Sequence, residues 1–399
     1  MVFFFWSILA IILYTYVGYA MLLLILIKAK RYYTNSLGRK NIIEQSLPTC
    51  ALVIAAYNEE YIIHQKITNT LSLKYPDRKL KIYIVADGST DNTVRHIEEY
   101  PQIRLLYQPI RKGKVAAINR AMKIIDSEIV VFTDANTFLN EDALVNLAYH
   151  FSDNQVGGVA GEKRIYIPEK AEASSAGEGL YWKYESKLKQ WDSELFSTIG
   201  AAGELFSIRR KLYEEVPQNT ILDDFVISMR IAQKGYKITY EPNAYAVESS
   251  SLNVHEELKR KIRIAAGGIQ SILALRSMLN PIKYPMLSFQ FISHRVLRWT
   301  ITPFLLILLF FINLMLLRIT TVWIYQYLFI IQVLFYGLAT LGLGFEKRKL
   351  KIKIAFVPYY FCVMNYAILA GIVKFSRNQQ NSLWEKVIRK EKEKILYKR

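Results

Sequence analysis

The strongest constraint on this chain is a nearly unbroken apolar run, Val2 to Ile27, long enough to cross about 30 Å of hydrocarbon as a helix. The basic stretch "KAKRYY" follows at once and no basic residues precede the run, so an anchor is expected rather than a cleaved leader. Three more apolar runs come late, at Ile301 to Leu317, Val322 to Leu343 and Ile354 to Val373, with Lys347, Arg348, Lys349, Lys351 and Lys353 packed between the last two. Burial in an ordinary core accounts poorly for four such segments. The 399 residues are 52% hydrophobic and only 22% charged, yet carry a net charge of +18. A basic excess beside so apolar a remainder points to a membrane lipid surface, with no nucleic acid as partner. Cys50 and Cys362 have no metal-ligand spacing and suggest neither a disulfide framework nor a zinc site.

Between the anchor and the later runs, Pro48 to about Ser250 reads as a soluble domain of ordinary size. Strand-like runs alternate with helix-like stretches: "CALVIAAY" then Glu59 to Leu73, "KIYIVADGS" then Asn92 to Glu99, "IRLLYQ" then Lys114 to Ile125, "EIVVFTDAN" then Asn140 to Phe151. This is an α/β pattern with a mainly parallel sheet. Ligands of such sheets sit beyond the carboxyl ends of the strands. The residues there are Asn58 and Glu59, then Asp87, then Asp134 and Asn136, with Gly88, Ser89 and Thr90 in the second loop. Each acid or amide alone is as well explained as a helix cap or a turn residue. Together they make a rim of hard oxygen donors suited to Mg2+ or Mn2+ on phosphate oxygens, because bare carboxylates would repel a diphosphate. Lys112 and Lys114 in "RKGKVAAINRA" either add positive charge to that ligand or form a solvated loop.

The strings "IAAYNEE", "VADGSTDNT", "KGKVAAIN", "FTDANT", "GAAGELFSIRR" and "LDDF", in this order, make the chain resemble the family-2 inverting glycosyltransferases of GT-A fold. That group contains the membrane-bound bacterial synthases of poly-N-acetylglucosamine, hyaluronan and cellulose. The likeness is close from about Pro48 to Val247 and looser through the later apolar runs. It implies an α/β fold: a Rossmann-like mixed sheet inserted between one N-terminal and about three C-terminal transmembrane helices. It also implies a UDP-sugar donor, with Asp87 against the uracil, Asn58 and Glu59 in the loop beside the nucleotide, and Lys114 at the edge of the donor pocket. Asp134 matches the first aspartate of the metal-holding D-x-D motif, and Asn136 stands where the second aspartate usually stands. An amide oxygen still ligates a hard cation but brings no charge. In "ILDDFVISMRIAQKGY" the second acid, Asp224, aligns with the catalytic base that deprotonates the acceptor hydroxyl as UDP departs. Read without the resemblance, Asp223 and Asp224 are a helix N-cap in a favourable dipole. Glu204 faces the acceptor or a surface turn, and Phe206, Trp182 and Trp191 either stack on sugar rings or pack in the core.

Beyond the domain, "HEELKRKIRIAAGGIQSILALRSMLNP" combines basic residues with an apolar stripe and suits a helix at the membrane surface. Synthases that polymerise carry Q-x-x-R-W here; "RKIRIA" keeps the arginine as Arg263, a diphosphate ligand by resemblance, but has Arg260 for the glutamine and Ile264 for the tryptophan. The expected organisation is therefore an anchor over 1–28, a cytoplasmic catalytic domain over 48–250, basic interfacial helices over 254–298, a transmembrane region over 299–375 and a basic tail over 376–399. A cytosolic donor places the domain on the inner face of the plasma membrane. A full crossing by Ile354 to Val373 then sends the basic tail outside, against the positive-inside tendency, so a re-entrant segment containing Pro358 stays open. Three functions follow: extension of an exopolysaccharide, capsule or biofilm polymer, with envelope assembly proteins as partners; a single transfer to a polyprenyl- or otherwise lipid-linked saccharide; or a catalytically degenerate nucleotide-binding scaffold.

Overall fold

The computed structural model describes residues 1–35, 47–166, 173–249, 254–348 and 353–379. The chain opens with α1 (Val2–Leu13) and α2 (Tyr19–Asn35), continuous through a π turn at Tyr14–Gly18. The domain follows as β1 (Cys50–Ala56), α3 (Ile63–Leu71), β2 (Leu80–Asp87), α4 (Thr93–Glu98), β3 (Ile103–Gln108), α5 (Lys114–Met122) and β4 (Ile129–Asp134). Its second half comprises β5 (Phe138–Leu139), α6 (Ala143–Tyr149), β6 (Val156–Tyr166), α7 (Ala173–Leu195), β7 (Phe206–Arg209), α8 (Asp223–Gln233) and β8 (Lys237–Ser249). After it come α9 (Val254–Ala274), α10 (Pro285–Phe291), α11 (Leu297–Trp299), α12 (Thr302–Ile319), α13 (Trp323–Lys347) and α14 (Lys353–Ser376).

The sheet has the order β3-β2-β1-β4-β7-β6-β8-β5. The first four strands are parallel, as the alternation predicts. The far half is mixed, because β7 runs antiparallel between β4 and β6 while β6 and β8 pair in parallel. Every residue of β1 is buried, since helices cover both faces of this central strand. Ala51, Val53 and Ala55 pack with α5 and α8, whereas Cys50, Leu52 and Ile54 pack with α3 and α6. The chain steps outward from β1 to β3 and then returns to β4 on the other side of β1. The topological switch, where ligands of such sheets bind, therefore lies between the ends of β1 and β4.

Among the described residues, four helices are long and apolar enough to cross a membrane: Val2–Tyr33, Thr302–Ile319, Trp323–Lys347 and Ile354–Ser376. The last is unbroken although Pro358 lies inside it, and it packs along α9 and α13. The tail from residue 380 onward lies outside the described residues, as do Lys349 and Lys351 of the basic cluster. Buried polar groups lock the first helix to the domain. Tyr19 donates to Asp192 of α7, His294 Nδ1 lies 2.5 Å from the same carboxylate, and Gln290 Nε2 donates to it at 3.1 Å. Charged and polar groups so enclosed must satisfy one another, so this junction specifies how α2, α7 and the α10–α11 segment fit together.

Candidate active site

The loops beyond β1, β2 and β4 are tied to one another by their own polar residues. Asn58 takes a left-handed φ of 52°, which asparagine tolerates, and its side-chain oxygen accepts the N–H of Thr90 at 2.8 Å. The Glu59 N–H donates to Thr93 Oγ1 at 2.7 Å. Asp87 Oδ2 accepts the N–H groups of Lys112 at 2.8 Å and Gly113 at 2.6 Å. One residue on, Lys114 reaches Asp134, with Nζ 2.6 Å from Oδ1, so the segment before α5 bridges the ends of β2 and β4. Gly88 has φ 70°, and a Cβ there would lie 2.5 Å from the Arg111 nitrogen; only glycine lets this segment close.

Lys114 also faces the start of α8. A Cβ on Gly203 would lie 3.1 Å from Lys114 Nζ and 3.5 Å from Asp224 Oδ2, so both groups converge on the bare side of that glycine. They line a cavity of about 470 Å³ together with Asp134, Glu204, Asp223, and Arg263 and Ile264 of α9. The N-cap of α8 is Leu222, with no side-chain capping bond, so Asp224 faces the cavity rather than serving as the cap.

Of the residues expected at the site, Lys114, Asp134, Asp224 and Arg263 line the cavity. Asn58, Glu59 and Asp87 do not; the first two bind loop to loop. Asp87 Oδ1 is buried without a hydrogen bond among the described residues, with Arg120 Nη1 3.5 Å away. Asn136 sits half-buried in the turn after β4, also off the cavity wall. Lys112 is exposed, its backbone rather than its side chain being used. Phe206 is a core residue stacked on Phe132 with centroids 4.8 Å apart, and Trp191 packs in the cluster around Tyr19, so neither is a sugar platform. Trp182 lines the cavity, but the ammonium groups of Lys163 and Lys261 lie 4.7 Å and 5.1 Å from its ring.

Charge at this site is concentrated and poorly solvated. Burial and the neighbouring Asp223 push Asp224 up to about 7 against the pull of Lys114. Burial disfavours the Lys114 ammonium, yet Asp134, Asp223 and Asp224 outweigh it and hold that amine protonated above its ordinary value. Burial also raises Asp134, partly offset by Lys114. Glu204 ion-pairs with Lys163, which lies 2.5 Å from Glu248, and Arg260 of α9 reaches Glu248 at 3.9 Å. Arg260 therefore fastens α9 to the domain.

These groups fit a divalent cation. Asp134 presents a carboxylate at the cavity edge, and Asp223 Oδ2 is buried with no hydrogen-bond partner among the described residues. Lys114 faces Asp134, Asp223 and Asp224 together, three carboxyl groups about one ammonium, and a cation would offset the negative charge that remains there.

The sequence reading missed the far side of the cavity. Arg295, Arg298 and Trp299 line it; Arg295 Nη2 is 2.5 Å from Glu185 Oε1, and Lys189 of α7 stands nearby. The string "RVLRW", just ahead of a late apolar run, was the available signal, since guanidiniums entering a membrane segment need a purpose. Lys189 had none. It is 5% exposed, opens onto the cavity, and its ammonium has no hydrogen bond or ion pair among the described residues. Burial lowers its pKa. From there the cavity continues to Tyr16 of the π turn and Tyr360, Met364, Asn365 and Ile368 of α14.

Residues 51–217 match the family model described as glycosyl transferase family 2. The chain is 27% identical over 256 residues to a poly-beta-1,6-N-acetyl-D-glucosamine synthase of Staphylococcus epidermidis, covering 61% of this chain and 60% of that protein. It is 28% identical over 255 residues to the synthase of the same name from Staphylococcus aureus strain COL, again covering 61% and 60%. The match thus spans less than two thirds of these relatives. Among solved structures, the mannosyltransferase PcManGT of Pyrobaculum calidifontis, in complex with GDP-Man and Mn2+, aligns over 94% of this chain and 100% of that one, with TM-score 0.70 and 22% identity. That likeness is one of fold, and the fold is GT-A. Residues 51–217, which hold most of the ordered strings and the loop-tied acids, are thus similar to glycosyl transferase family 2, and among the described residues the domain is set between one N-terminal and three C-terminal apolar helices.

Proposed function

We propose that this protein is an inverting, metal-dependent glycosyltransferase of the bacterial plasma membrane, its domain cytoplasmic, that extends an exopolysaccharide from a UDP-sugar. N-acetylglucosamine is the first sugar to test, because the related staphylococcal proteins are named for its polymer. The observation that carries the reading is Asp224, a carboxylate raised to about 7, opening on the cavity that also holds the Lys114–Asp134 pair. Asp224 takes the proton of the acceptor hydroxyl as its oxygen bonds to the anomeric carbon. The bond from that carbon to the diphosphate breaks with its electron pair, and UDP leaves from the opposite face. Lys114 and Arg263 stabilise the charge that develops on the departing diphosphate. Asp134, with Asn136 beside it, would hold Mg2+ or Mn2+, which supplies further positive charge for that group. The resemblance assigns Asp87 to the base of the nucleotide, with Arg120 beside its Oδ1, while Asn58 and Glu59 shape the loop around it.

The decisive experiment uses the full chain in detergent with Mn2+ and a panel of UDP-sugars, measuring UDP release and product length. One donor turned over into a ladder of products supports this reading; UDP binding with no turnover of any donor supports the scaffold instead. A single added residue favours transfer to a lipid-linked saccharide. Its structural support is the cavity wall contributed by α14, where Val357, Met364, Ala367 and Ile368 offer an apolar surface to an amphiphile.

Two variants refine the assignment. Asn136→Asp restores the second charge beside Asp134 and is expected to tighten Mn2+ and Mg2+ activation together, read as the metal concentration for half-maximal UDP release. Lys189→Met removes a cation on the acceptor side of Asp224. It is expected to raise the KM for a saccharide primer by about ten- to a hundredfold with donor KM unchanged, the effect of losing a charged hydrogen bond. Equal changes in both constants would remove Lys189 from the acceptor side.

A further inference from the structure

We infer that His64, His96 and Glu99 form a second metal site, for a transition-metal ion of the Zn2+ class, on the outer face of the domain and away from the cavity. The chain has 5 histidines, and the fold brings two of them into contact: the rings of His64 on α3 and His96 on α4 have centroids 4.3 Å apart. Glu99 stands three residues after His96, on the same side of that short helix, with Oε1 3.4 Å from His96 Nδ1. One ligand atom from each residue lies within 4.8 Å of the others.

Two imidazoles and a carboxylate are the donor types of three-ligand zinc centres, which leave a fourth position for water. Ligand atoms about 2.0–2.2 Å from a tetrahedral ion are roughly 3.5 Å from one another. Closing from 4.8 Å needs only side-chain rotation, which two half-buried rings and an exposed carboxylate allow. The Tyr100 hydroxyl is 3.0 Å from His64 Nδ1, so it orients this ring and leaves Nε2 for the ion, the part that hydrogen-bonded neighbours play around ligating histidines.

The two sites select different ions by their chemistry. Around the Asp134 carboxylate the donors are oxygen, suited to Mg2+ or Mn2+, whereas imidazole favours Zn2+, Ni2+ and Cu2+. An ion held by His64, His96 and Glu99 also acts on the loops of the first site. It clamps α3 to α4, and the turns leading into those helices are joined by Asn58 to Thr90 and Glu59 to Thr93. Metal on one side of this helix pair thus braces the nucleotide loops on the other.

The test is a zinc titration of tag-free, chelator-stripped full-length protein in detergent, in competition with a chromophoric zinc indicator. The expected result is one Zn2+ per chain, an affinity weakened at least about tenfold by His64→Ala or His96→Ala, and a smaller loss for Glu99→Gln. Asp134→Ala leaves this binding unchanged, and millimolar Mg2+ does not displace the ion. Zinc should also raise the thermal midpoint of the wild type but not of the double histidine variant. Retained UDP binding by that variant shows that it is folded. Equal zinc stoichiometry and affinity in the wild type and the double variant, or no bound zinc in either, overturns the assignment and leaves a histidine pair packed on Tyr100.

Discussion

Asp224→Asn is expected to slow sugar transfer by about 10²–10⁴-fold while UDP binding persists, because the amide preserves shape but cannot accept the acceptor's proton. The same residue sets the pH dependence. Its carboxyl, raised to about 7, must be ionised to act, so wild-type turnover should climb with pH through that value and level off above it. The stability effect has the opposite sign. The folded state holds a proton on Asp224 over a range where the unfolded chain, with an ordinary value of 3.8, has lost it. That contribution to stability is present in full at low pH and is lost as pH rises towards and through about 7. Asp224→Asn should therefore raise the thermal midpoint relative to wild type at pH 8, where the buried negative charge is removed, and change it little at pH 4. Full activity in this variant would exclude Asp224 as the base.

Asp134→Ala is the second large effect. In the wild type this carboxylate is held by Lys114 at 2.6 Å, at the end of the strand beside the topological switch. Without it, calorimetric titration of UDP should lose its dependence on Mn2+, with donor affinity in excess metal falling at least about ten- to a hundredfold, since a direct ligand matters no less than the groups that orient one. Lys114 then turns wholly to the start of α8 and favours the ionised form of Asp224 more strongly. Residual activity should consequently shift its midpoint to lower pH. A variant whose UDP binding still strengthens with Mn2+ would locate the metal ligands elsewhere.

The apolar run "EIVVFTDANT" illustrates what could be read directly. Composition makes Ile129 to Asp134 a buried strand, and in a parallel sheet its polar stop falls at the same carboxyl edge as that of β1. The same logic recovered Asp87 at the end of β2 and the helix opened by Lys114. It left the aromatics open between sugar platform and core. Phe206 lies two residues after Glu204, but β7 pairs antiparallel with β4, and that register sets Phe206 opposite Phe132 inside the core. Strand direction in the second half of the sheet is a long-range matter that no local pattern carries.

Lys189, Arg295 and Arg298 escaped for a related reason. They lie 55 to 164 positions after Asp134 in chain order yet share its cavity, and only the packing of α7 and the α10–α11 segment against the domain brings them there.

 Separations of that size leave no periodicity to detect. The buried bonds of Tyr19, Gln290 and His294 to Asp192, which hold that packing in place, are equally invisible in the sequence because each partner is an unremarkable polar residue in its own segment.

By itself the sequence determined the apolar helices, the alternation that makes a parallel α/β half-sheet, and the acids at its carboxyl edge. Each of these follows from local hydrophobic pattern and from the fixed geometry of strand and helix, which need no knowledge of distant neighbours. The tertiary structure alone decided which of those acids share a cavity, that Asp224 is raised to about 7 there, and that the cavity's far wall comes from α7, α9, the α10–α11 segment and α14. Burial and charge proximity are properties of the packed molecule: a carboxylate acquires its chemistry from what excludes water around it, and those groups come from segments far apart along the chain.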